Sequence, residues 1–97
     1  MEDARMFFLQ FDATPRRSHP YADEVAGAIV RCWIQATTLA EAEATAIKEI
    51  TELRWIVGEL DEGYPVSRST YDDDENLGYF DQALIDKRLY VFHCYQL

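Results

Sequence analysis

The clearest pattern in the chain is a strict alternation from Val25 to Thr37. Ala28, Val30, Cys32, Ile34 and Ala36 fall on one side of an extended backbone, and Ile29, Arg31, Trp33, Gln35 and Thr37 on the other. Period-two alternation with β-branched and aromatic residues predicts a strand. Arg5 to Asp12 is a second, Phe-rich strand that Ala13-Thr14-Pro15 closes. Thr14 to Glu24, with Pro15, Ser18, His19 and Pro20, is a loop. Thr38-Leu39-Ala40-Glu41 has the T-x-x-E form of a capping box. The helix it opens runs to about Leu53, with Leu39, Ala42, Ala46, Ile50 and Leu53 on one stripe.

Trp55 to Leu60 is a third strand, and Asp61-Glu62-Gly63 reads as a turn. Tyr64 to Tyr71 then returns as a hairpin strand, against which Pro65 and its serines argue. Asp72 to Glu75 opens a second helix, its negative charge suited to the helix dipole, with Asp74 as N-cap. Leu77, Phe80 and Leu84 form its apolar stripe, Lys87-Arg88 its basic end, and Leu89 to Tyr95 a last strand.

From Val25 onward this order is βαββαβ, which predicts an α+β domain of ferredoxin-like split βαβ type. Both helices cover one sheet face, and an extra strand precedes the plan. In the alternative, residues 64–71 form no strand and the N-terminal strand completes the sheet. The stretches AIVRCWIQATTLAEAEATAIKEI and RWIVGEL, within residues 26 to 60, resemble small bacterial α/β-plait proteins of uncharacterised function. That resemblance implies a fold and carries no activity. The T-x-x-E-A opening also resembles antitoxin domains of HicB type, without their DNA-binding extension.

Length and charge narrow the classes. The 97 residues make one domain, 1–97. Acids outnumber bases 18 to 9, for a net charge of -9. Nucleic acid and anionic membrane surfaces both need clustered Lys/Arg, so neither is an expected partner. No apolar run approaches the roughly 20 residues of a membrane span. The acidic start Met1-Glu2-Asp3 is unlike a signal peptide, so a reducing cytoplasm is expected, with Cys32 and Cys94 as two buried free thiols.

Candidate chemistry is sparse. Asp72-x-Asp74-x-Asn76 opens like a calcium loop, but Leu77 and Ala83 stand where that loop needs Gly and Glu. His93 and Cys94 are adjacent and point to opposite faces of a strand, and zinc spacings are absent. The expectation is no catalytic residue, no metal and no cofactor.

Apolar surface is the informative excess. Phe7, Leu9 and Phe11 back onto Met6 and Phe8, and Tyr90 and Phe92 onto Leu89 and Val91. A sheet open to water on one side should carry one polar face. A second copy can cover the excess, a ligand or partner chain can occupy it, or the chain's own loop and first strand can fold over it. Trp33, Arg31, Trp55, His93 and Tyr95 are the candidate residues of a binding or dimer surface. The expected role is a non-enzymatic interaction or regulatory domain, homodimeric through its sheet face. One alternative is an acidic immunity protein or antitoxin holding a basic partner through Glu59, Asp61, Glu62 and Asp72 to Glu75. Another is a small dimeric α/β-barrel enzyme with His93 or Tyr95 at its cleft.

Overall fold

The computed structural model describes residues 4–97, so the acidic start at Met1 to Asp3 lies outside the described residues. Four strands and two helices follow in the order β1 (Arg5–Pro15), β2 (Val25–Ala36), α1 (Leu39–Glu52), β3 (Trp55–Val66), α2 (Asp74–Asp86) and β4 (Arg88–Gln96). A short 3-10 turn, Arg68–Thr70, stands between β3 and α2. The strands form one sheet in the order β3-β1-β2-β4, every neighbouring pair antiparallel. This α+β arrangement of one antiparallel sheet and two helices is compatible with a ferredoxin-like kind of fold.

Two features of the expected plan are corrected. There is no hairpin at Asp61-Glu62-Gly63, because β3 runs straight through it. Gly63 does not adopt a positive φ, and the surplus residues are absorbed by register shifts against Gln10, Phe11 and Ala13. Bulges of this kind hold an extra residue without reversing the chain. Gly58 sits in this irregular stretch, where a Cβ would come 3.0 Å from the Asp12 carbonyl oxygen. Pro65 is tolerated because β3 is an edge strand. Residues 64–71 therefore give the end of β3 and the 3-10 turn, and β1 is an interior strand.

The helices also lie on opposite faces instead of sharing one. Ala42, Ala46 and Ile50 of α1 pack with Phe7, Leu9, Phe11, Val30, Cys32 and Ile34. Phe80 and Ala83 of α2 pack with Met6, Phe8 and Trp33. The reason is in the two interior strands, whose side chains are apolar on both faces. Burial stabilises by roughly 25 cal/mol per Å² of apolar surface, so each face attracts a cover. Most of the apolar excess is thus covered by the chain's own second helix.

The helix ends show how closely local signals are obeyed. The Thr38 hydroxyl accepts the Glu41 N–H at 3.1 Å. The Glu41 carboxylate takes the Thr37 hydroxyl at 2.8 Å, so only half of the capping box forms. The N-cap of α2 is Asp73, one residue before the expected Asp74; it accepts the Asn76 N–H at 3.0 Å. This bond holds the Asp73 carboxyl below the usual carboxylate range. α2 ends at Lys87 with φ 74°, a left-handed conformation that costs a residue with a Cβ about 1–2 kcal/mol. Lys87→Gly is therefore expected to stabilise the domain by about 0.5–1 kcal/mol after the entropy cost of glycine, measured as a higher urea midpoint.

Candidate functional site

The structure does not gather the five expected surface residues into one place. Trp33 is 0% exposed, beneath α2. Its Nε1–H donates to Tyr71 Oη at 2.8 Å, and its ring meets Phe8 and Tyr79, both with centroids 5.1 Å away. Trp55 is 4% exposed on the opposite face. The small pair Ala13 and Ala28 leaves room for it to reach across the sheet and stack on Phe92 at 5.3 Å. His19, from the loop after β1, closes over it edge-on at 4.7 Å. Both tryptophans, expected on a binding surface, are core residues.

Arg31, His93 and Tyr95 do share a face. They occupy the part of the α2 face that the helix leaves open, with Arg31 beside Val91, His93 beside Ile29 and Tyr95 beside Gly27. A Cβ at position 27 would collide with the hydroxyl end of Tyr95, so glycine leaves room for the tip of that side chain. Around Arg31 stand three tyrosines that sequence spacing did not single out. Burial raises the Tyr64 and Tyr71 hydroxyls above their ordinary range, a bond to Glu75 raises Tyr79, and the positive charge of Arg31 pulls each back. Among the described residues Arg31 forms no ion pair. This shelf is open at Arg31 and His93, and a small cavity of about 110 Å³ forms at its end between Tyr95, Asp12, Thr14 and Ile56.

A larger cavity, about 460 Å³, lies at the other end of the same face. Arg5 and Met6 enter it from the start of β1, Val66 from the end of β3, and Phe80 and Leu84 from α2. The turn after β3 adds Ser67, Arg68 and Thr70. Bracing bonds hold its walls. Arg68 grips Asp81 of α2 through two parallel bonds, 3.0 and 3.1 Å, which lower the Asp81 carboxyl. Gln35 donates its amide to the Ala83 and Leu84 carbonyls at 3.1 and 3.2 Å, satisfying acceptors that the end of a helix leaves open. The Thr70 hydroxyl oxygen accepts the Ser67 N–H at 3.0 Å. One ion pair, Arg68 to Asp81, ties the turn to α2, and the Ser67–Thr70 bond closes the turn on itself.

Nucleophile and metal chemistry find little footing. Cys32 is buried, which pushes its thiol up to about 12, far from the reactive thiolate range. Cys94 is exposed, where a buried thiol was expected, because the end of β4 extends past the cover of both helices; both cysteines are free. Among the described residues no three of His, Cys, Asp and Glu are placed to hold a metal ion, and no described helix is long and apolar enough to cross a membrane. Tyr90 and Glu49 serve the fold: the Tyr90 hydroxyl donates to Glu49, which also pairs with Arg88 at 2.6 Å, tying β4 to α1. No protein-family model matches the chain, and no curated protein or solved structure matches it.

Proposed function

We propose that this chain is a non-enzymatic interaction domain that pairs with a second copy of itself through its sheet. α2 covers much of the face first expected to pair, so the reading shifts from the face to the edge. The observation that carries it is the contrast between the two edge strands. β3 is guarded: it holds Pro65, two register irregularities, and the acids Glu59, Asp61 and Glu62. Those are the devices by which sheets discourage edge-to-edge pairing. β4 reads RLYVFHCYQ, with no proline, no glycine and no acid.

An unguarded edge offers a row of backbone donors and acceptors to another strand. Two β4 strands pairing antiparallel about a twofold axis would satisfy that row on both copies at once. The net charge of -9 opposes self-association in general. It does so least at β4, whose one formal charge is Arg88. Light scattering should therefore give twice the 11.3 kDa of the chain. Cys94→Lys places a guarding charge on the exposed end of β4 and is expected to return the monomer mass with an unchanged circular dichroism spectrum. A wild-type chain that stays monomeric at high micromolar concentration sinks the reading.

A further inference from the structure

We infer that two copies join edge to edge with Phe92 of each on the twofold axis; this rests on the β4 pairing proposed above and fixes its register. The Gln35 N–H donates to the Lys87 carbonyl at 2.9 Å. These residues stand directly opposite, one step beyond the Ile34–Arg88 pair. They therefore belong to the hydrogen-bonded set of this antiparallel ladder, which recurs at every second residue. Along β4 that set takes in Leu89, Val91, His93 and Tyr95, opposite Trp33, Arg31, Ile29 and Gly27. Their backbone groups turn inward to β2. The backbone groups of Arg88, Tyr90, Phe92, Cys94 and Gln96 turn outward, to the free edge.

An identical strand lying antiparallel closes this outer ladder only where outward residues face outward residues. A twofold axis at Phe92, the midpoint of Arg88–Gln96, meets that need along the whole strand. Arg88 then stands opposite the partner's Gln96, Tyr90 opposite the partner's Cys94, and Phe92 opposite the partner's Phe92. Every other twofold register that sets outward against outward leaves part of the ladder overhanging.

The side chains agree with this register. The axis is perpendicular to the sheet, so each face continues into its counterpart. On the α2 face Tyr95, 47% exposed, falls opposite the partner's Leu89, which packs against the α2 core. On the α1 face Phe92 stacks on Trp55, and the partner's Phe92 adds a cross-strand aromatic pair. Arg88, the one formal charge of β4, meets a neutral glutamine. Val91 lies opposite the partner's His93, so the two open shelves merge across the seam.

The test is disulfide trapping of the full chain with diamide, read on nonreducing gels. In this register the two native Cys94 residues lie apart along the paired strands by roughly 13 Å. A disulfide needs Cα atoms within about 7 Å, so the wild type is expected to give no covalent dimer. Tyr90→Cys sets a thiol opposite the native Cys94, at the roughly 5.5 Å of a hydrogen-bonded pair, and most of the chain should be trapped. Tyr90→Cys combined with Cys94→Ser should lose that trapping. Tyr90 is half-buried and bonds Glu49, so a second pair uses Arg88 and Gln96, both exposed. Arg88→Cys chains and Gln96→Cys chains, each carrying Cys94→Ser, should cross-link when mixed and not when alone. Three results overturn the register while the dimer itself stands: wild-type dimers cross-linked through Cys94, trapping of Tyr90→Cys without Cys94, or no trapping by either pair in a chain that scatters light as a dimer. A chain that is monomeric at high micromolar concentration removes the dimer and the register together.

Discussion

Trp33→Ala is expected to cost about 3–5 kcal/mol, the range for removing a large aromatic side chain from a packed core. For a domain whose whole stability is about 5–15 kcal/mol, such a loss brings the variant close to unfolding. The size of the effect follows from the number of parts Trp33 joins. It is fully buried, meets Phe8 of β1 and Tyr79 of α2, and donates to Tyr71 in the segment that leads into α2. Without the indole, the second core loses its largest side chain and α2 loses its main seat. Trp33→Phe keeps most of the apolar area and gives up the bond to Tyr71, so about 1–2 kcal/mol is expected. Urea unfolding measures both, and hydrogen exchange across α2 should quicken more in the alanine variant than exchange across α1. A Trp33→Ala chain with an unchanged urea midpoint would return this residue to the surface role its sequence pattern first gave it.

That reversal shows what the sequence pattern carries and what it lacks. The alternation in β2 identifies its two faces without error: Ala28, Val30, Cys32 and Ile34 are all in one core and Trp33 in the other. What alternation omits is the cover. Whether a helix lies above a face depends on the path of the connection before it, and α2 follows a strand at one edge and precedes a strand at the other. No local signal in Asp72 to Asp86 states which side that path takes. β3 failed for a related reason. Asp61, Glu62 and Gly63 have turn chemistry, and their pairing to the interior strand β1 outweighs it, the irregular register absorbing the surplus. The Tyr64, Tyr71 and Tyr79 group around Arg31 comes from β3, the segment after the 3-10 turn and α2. The cleft arises from five elements. Spacing along the chain holds no trace of such groupings.

Alkaline pH is expected to unfold this domain well before acid does, and Cys32 sets where the loss begins. Its thiol sits in the core with an ionisation near 12 in place of 9.0. The folded chain therefore keeps that proton while the unfolded chain gives it up. Stability is fully present below pH about 9 and falls by roughly 1.4 kcal/mol per pH unit from there toward pH about 12, because the folded state binds the extra proton. Tyr90 adds to the fall above its ordinary 10.0, raised by burial first and then by its bond to Glu49. Its ring is only partly buried, which makes that addition the smaller one. On the acid side the lowered groups are Asp73 and Asp81, both exposed, and their contribution is lost only as pH drops through the low end of the carboxylate range. Urea midpoints followed from neutral pH to about 11 should fall steeply in the wild type. Cys32→Ala should start lower, through its lost volume, and then decline with a shallower slope. Tyr90→Phe should trim the slope only at the upper end. If neither substitution flattens the alkaline limb, the loss belongs to other groups and the buried thiol does not govern it.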